Sequence, residues 1–142
     1  MNEDSIKLLK ECNAGCKSAV NSLRQVREYV IDSNLINSMD KSCEKHEHLG
    51  DKLHKILNEH GESEKDPETI SKAFAGMMTE IKLLMNNDTH RIAKMLVDGC
   101  NMGIKSLSDY IMKYPDADSK IVEYANELID IEVDLIKELE AF

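Results

Sequence analysis

Apolar residues recur along this chain in alternating three- and four-residue steps, the spacing that gathers them on one face of an α-helix. From about Ser5 to Val30 the seam is Leu9, Cys12, Cys16, Ala19, Leu23, Val26 and Val30. Asp32-Ser33-Asn34 interrupts it with residue types that favour N-caps. A second seam follows through Ile36, Met39, Cys43, His46, Gly50, Leu53 and Leu57, and Gly61 is a suitable C-cap. After the polar linker Gly61 to Lys65, Asp66-Pro67-Glu68 predicts a cap, a proline at the first helical position and an acid in the first turn. The shorter helix it opens carries Phe74, Met77, Met78, Ile81, Leu84 and Met85, and Asn86-Asn87-Asp88 closes it and caps the next. A third long helix turns Leu96, Cys100, Ile104, Leu107 and Ile111 inward and stops at Tyr114-Pro115. The fourth, from near Asp116, has Ile121, Ala125, Leu128, Glu132, Leu135, Leu139 and Phe142 along its seam.

No segment alternates as a strand would, so the pattern predicts an all-α fold in a single domain over 1–142. Four long helices form two hairpins, and a connection containing a short helix joins them. Heptad-like spacing favours packing near +20°, as in a four-helix bundle. The long middle connection excludes a simple up-down-up-down path and predicts a ferritin-like, one-crossover topology.

Composition narrows the core and the partners. At 142 residues the chain is long enough to bury most of its unfolded surface without staples. It lacks Trp and has only four Tyr and two Phe, so the core is aliphatic, with eight Met contributing. A net charge of −9 argues against nucleic acid or an anionic membrane surface as partner. The acidic start has neither the basic nor the apolar region of a signal peptide, and no apolar run approaches the ~20 residues of a membrane span. The expectation is a cytoplasmic protein whose four Cys stay reduced.

Within the bundle pattern, Cys12-Asn13-Ala14-Gly15-Cys16-Lys17-Ser18 recurs as Cys100-Asn101-Met102-Gly103-Ile104-Lys105-Ser106, identical at five of seven positions. Cys12 and Cys100 fall at equivalent seam positions, which suggests that the first and third helices are duplicated elements. Gly15 and Gly103 flank the seam where a missing side chain lets a neighbouring helix approach. Asn13 and Asn101 lie on the other flank, where an amide can bond across a helix pair.

On Glu11-Cys12-Asn13-Ala14-Gly15, His46-Glu47-His48-Leu49-Gly50 and Asp98-Gly99-Cys100-Asn101-Met102-Gly103, the chain resembles bacterial ferritin-like four-helix-bundle proteins, a family of unassigned function. The resemblance implies the fold over nearly the whole chain and lends no activity. The wider superfamily holds two irons with one Glu on each of two helices and Glu-x-x-His on the others. This sequence has no Glu-x-x-His, and Cys16 and Ile104 stand where the two single Glu residues are sought. The usual di-iron site is not expected.

Two seam positions are polar, His46 and Glu132. A carboxylate buried alone is costly, so Glu132 needs a partner, and His46 is the obvious one. Cys12, Cys16 and Cys100 also face inward, so His46, Glu132 and these thiols are candidate ligands for iron or zinc. The alternative is a buried His–Glu hydrogen bond with the Cys as small apolar fillers. Glu11 should point outward to solvent. The Phe74, Met77, Met78 and Met85 face offers an adaptable apolar patch for a second copy or a protein partner. With no nucleophile–base pair or cofactor loop visible, the expected role is non-enzymatic: self-association or protein binding, with metal binding as the alternative.

Overall fold

The computed structural model describes residues 1–65 and 72–142, so the expected cap at Asp66-Pro67-Glu68 lies outside the described residues. Among the described residues five α-helices follow one another: α1 (Glu3–Arg27), α2 (Ser33–Glu59), α3 (Lys72–Leu83), α4 (Thr89–Lys113) and α5 (Ser119–Leu139), with a 3₁₀ turn at Met85–Asn87. There is no strand among the described residues. Among the described residues no helix is long and apolar enough to cross a membrane.

The punctuation residues act through identifiable bonds. Asp32 Oδ1 accepts the N–H groups of Asn34 and Leu35, each at 2.9 Å, and so caps α2. At the other end Gly61 has φ +66°, the left-handed conformation glycine adopts without penalty. The Glu62 N–H then reaches the Leu57 carbonyl at 2.9 Å and the Gly61 N–H that of Asn58 at 3.0 Å, a Schellman motif. Asp88 Oδ1 accepts the Arg91 N–H at 3.1 Å and caps α4. Asn87 before it takes φ +46°, tolerated by Asn better than by most residues.

Two boundaries differ from the pattern's prediction. α1 ends at Arg27, although Val30 beyond it stays buried, because the chain tightens through Tyr29 N–H to Val26 and Val30 N–H to Arg27 bonds. α5 starts at Ser119, three residues later than expected, because the preceding turn is tied to the start of α1. Ser5 Oγ accepts the Asp118 N–H at 2.7 Å, Asp4 Oδ2 accepts the Asp116 N–H at 3.0 Å, and Asn2 Nδ2 donates to the Asp116 carbonyl at 2.7 Å. Those partners are more than 100 residues apart in sequence, where local propensity has no say.

Helix directions follow from which residues meet. Arg24 pairs with Glu47 and Arg27 with Asp40, so α1 and α2 are antiparallel. Ser38 meets Glu138 and Lys45 meets Asp134, so α2 and α5 are antiparallel as well. Ser5 meets Asp118 and Gly15 lies against Leu128, so α1 and α5 run the same way. With α4 and α5 forming a hairpin, the order is up, down, down, up, and the chain returns along the bundle between α2 and α4. The packing is that of a four-helix bundle built from two hairpins, with α3 against α1 and α4.

The core divides into two clusters. One holds Leu23, Val26, Leu35, Met39, Ile92, Leu96, Leu135 and Leu139; the other holds Leu8, Leu9, Leu49, Leu53, Leu57, Leu107, Ile121 and Leu128. Along α2 and α5, His46 and Glu132 occupy the positions between them. Of the glycines, Gly50 has the tightest surroundings: a Cβ there would stand 3.2 Å from Cys16 Cβ. At Gly15 and Gly103, where a close approach was expected, the nearest atoms would be at 3.4 and 3.8 Å, ordinary contact distances. A paired prediction follows. Gly50→Ala should lower unfolding stability by roughly 1–2 kcal/mol through overpacking, offset in part by better helix propensity. Gly99→Ala, with nothing within 4 Å, should raise it by about 0.5–1 kcal/mol. Urea unfolding of both variants checks the contrast; equal shifts would refute the assigned packing.

Candidate functional site: the His46–Glu132 layer and the α1–α4 cleft

His46 is fully buried and Glu132 is 9% exposed. The imidazole Nε2 stands 2.7 Å from Glu132 Oε1 and Nδ1 stands 2.8 Å from the Ser42 carbonyl oxygen. A carbonyl only accepts, so Nδ1 must carry a proton and donate it. Nε2 and Oε1 can then bond only if one proton lies between them. The pair is either imidazolium with carboxylate or neutral imidazole with carboxylic acid, and both arrangements hold the same number of protons. Ser42, one helical turn before His46 on the same buried face, orients the ring. Sequence reasoning passed over it because a serine carbonyl leaves no mark in a hydrophobic pattern.

Of the expected thiols, Cys100 hydrogen-bonds to Glu132 and Cys16 lies near it. Burial pushes the Cys16 and Cys100 thiols up, and the neighbouring Glu132 adds to both shifts. Cys12, one turn from Cys16, is pushed up to about 12 by burial, with Glu11 adding to it. Burial therefore disfavours the thiolate, the form that binds metal. Nε2 is committed to Glu132. Among the described residues no group of three or more His, Cys, Asp or Glu side chains could hold a metal ion. As arranged, the residues do not fit iron or zinc, and they fit small core fillers around a hydrogen-bonded pair.

Two further expectations need correction. Glu11 does not point into open solvent: it is partly buried, with its carboxylate 2.6 Å from Lys65 Nζ, because the polar linker folds back over α1. The same linker pairs Glu62 with Lys10 and Glu64 with Lys17 and His54. The Lys17 bond foremost holds the Glu64 carboxyl below its ordinary range. The two repeat asparagines also part company. Asn101 is exposed, whereas Asn13 is fully buried. Its amide lies near enough to Glu64 to favour that charge, yet meets the geometry of a hydrogen bond with no partner among the described residues.

The Met-rich face is divided too. Met78 is 7% exposed and packs into the core with Ile81, while Met85 stands 83% exposed after the helix has ended. The four residues therefore do not form one exposed patch. Phe74 and Met77 instead line a cleft of ≈ 1050 Å³ between α1 and α4. Its walls include Gly15, Ser18 and Ala19 from α1 and Gly99, Gly103 and Ser106 from α4, and Leu128, Glu132 and Leu135 of α5 also line it. α1 and α4 carry small residues along this cleft, so the described side chains leave space between them.

Comparison with known proteins adds a fold. No protein-family profile and no curated protein matches the chain. A solved structure is similar: the crystal structure of a DUF305 fragment from Deinococcus radiodurans, with TM-score 0.74 and 10% identity, over 99% of this chain and 95% of that one. At that identity the likeness concerns the helical fold alone and brings no activity with it.

Proposed function

We propose that this protein acts by binding rather than by catalysis, and that the cleft between α1 and α4 is its recognition surface. The observation that carries this reading is the cleft itself, ≈ 1050 Å³ with apolar side chains from α1, α3, α4 and α5 around it. Small-ligand sites commonly reach about 300–1,000 Å³. Against catalysis stand thiols whose ionisation burial disfavours and an imidazole whose two nitrogens are both engaged. Self-association or a protein partner would use the same edge, where Phe74 and Met77 border the opening. Kinship with ferritin-like bundles belongs to this proposal as well, supported by the up, down, down, up order of the four long helices. So does a cytoplasmic location, which suits four free cysteines.

A second reading, iron or zinc held by Cys16, His46, Cys100 and Glu132, has one observation in its favour: each long helix sends one possible ligand toward the same layer. It requires Glu132 to release His46 and the thiols to ionise. One metal per chain after chelator-free purification would decide for it.

The binding reading is tested with an apolar fluorescent probe, Nile red, and sedimentation. The expected result is saturable probe binding at one site per folded chain, abolished by Ser18→Trp with Ser106→Trp, which fill the cleft while leaving the melting temperature nearly unchanged. Absence of binding, or binding indifferent to the filled cleft, would sink the reading. Sedimentation across a hundredfold concentration range (about 2.7 kcal/mol of association free energy) reports whether the occupant is a second copy.

A further inference from the structure

The geometry points to a small uncharged aliphatic molecule as the occupant of the α1–α4 cleft, a single hydrocarbon chain lying beneath α3. This inference rests on the binding reading above and adds the chemistry of the ligand. The polar side chains buried along the cleft are His46, Glu132 and Cys100, and they bond to one another. Imidazole and carboxyl share a proton, and the thiol donates to the carboxyl. In either arrangement of the shared proton the pair carries no net charge. Among the described residues, the buried side-chain nitrogen and oxygen atoms without a hydrogen-bond partner belong to Asn13, which does not line the cleft. An ionic head laid on this floor would leave water and find neither a free counter-charge nor a free hydrogen-bonding group. The acids at the rim, Glu80 and Asp98, stand exposed to solvent and select no charge in the ligand.

The walls suit a thin apolar chain. Leu23, Leu96, Leu128 and Leu135 are buried and supply aliphatic surface from α1, α4 and α5, while Phe74 and Met77 line the cleft from α3. α3 packs against both α1 and α4 and is anchored in the core by Met78 and Ile81. The place over the α1–α4 groove where a partner's amphipathic helix would dock is therefore taken by this chain's own helix. What is left under α3 has room for a ligand much slimmer than a helix. From Met95 to Gly103 the α4 wall runs eight residues, about 12 Å at the helical rise, room for a chain of roughly ten carbons. Met77 is unbranched and adaptable, a side chain that can settle against such a chain.

Displacement of Nile red from the full chain by decanol, decylamine and decanoate, all below their aggregation concentrations, tests this. Decanol should displace the probe at about tenfold lower concentration than either ion, because each ion must shed water without a counter-charge to meet it. Met77→Lys brings a charge to the α3 side of the cleft and should narrow decanol's lead over decanoate severalfold. Met77→Gln, uncharged and of similar size, should keep the order of the three competitors. If the probe binds and the three act alike, or an ion leads, the inference is overturned and the cleft reading stands. An order unmoved by Met77→Lys would mean that the chain does not lie beneath α3, and overturns it as well. So does probe affinity that falls as the protein is concentrated, the sign of a second copy in the cleft. If the probe never binds, both readings fall.

Discussion

Glu132→Ala should be the most damaging single truncation in the core, lowering stability by about 3–5 kcal/mol, the range for breaking a buried charged pair. For a domain of this size that corresponds to a fall of roughly 10–15 °C in melting temperature. The loss comes from what is left behind. His46 keeps its Nδ1–H on the Ser42 carbonyl, but Nε2 loses its carboxylate partner. Replacing both partners, as in His46→Leu with Glu132→Leu, removes the orphaned group and should restore most of the stability lost in the single variant. Urea and thermal unfolding of the single and double variants measure this. A double variant as damaged as the sum of the two singles would mean that the residues do not act as a pair.

Alkaline pH should unfold the protein steeply, and the buried thiols are the cause. Cys12, Cys16 and Cys100 all have folded-state values raised by burial, Cys12 to about 12. In the unfolded chain they ionise near their ordinary value of about 8.5. A group with a raised folded value stabilises the fold fully below its unfolded value and loses that contribution as pH rises. Above about pH 8.5 the unfolded state sheds three protons that the folded state retains, a slope of about −4 kcal/mol per pH unit. A typical stability of ~5–15 kcal/mol is then exhausted within a few pH units. The Cys12→Ala, Cys16→Ala, Cys100→Ala variant starts from a lower baseline but should show a shallower alkaline slope. An unchanged slope would show that these thiols are not kept protonated by the fold.

The helical architecture was legible because it depends on periodicity and on a few punctuation residues. Asp32, Gly61 and Asp88 do what their types predict, since capping is local chemistry. The His46–Glu132 pairing was legible by a different argument, that a lone buried carboxylate must find a partner. What escaped was set by tertiary neighbours. Ser42 acts through its backbone, which every residue shares. Glu11 turns from solvent to Lys65 because of a linker fifty residues away. Met77 and Met78 are adjacent in sequence yet part between cleft and core, and the seam spacing did not separate them. The repeated glycines suggested a tight crossing, whereas the tight contact falls at Gly50 and the repeats border open space. The same pattern that identified an inward face could not say whether that face meets a neighbour or a void.

The His46–Glu132 pairing requires a proton on the imidazole Nδ1. Side-chain ¹⁵N spectroscopy of His46 in the native protein reads it directly. The prediction is a protonated Nδ1, donated to the Ser42 carbonyl and slow to exchange with water, in either arrangement of the proton shared with Glu132. A ring with its only proton on Nε2, exchanging freely with solvent, would contradict both the pairing and the site built upon it.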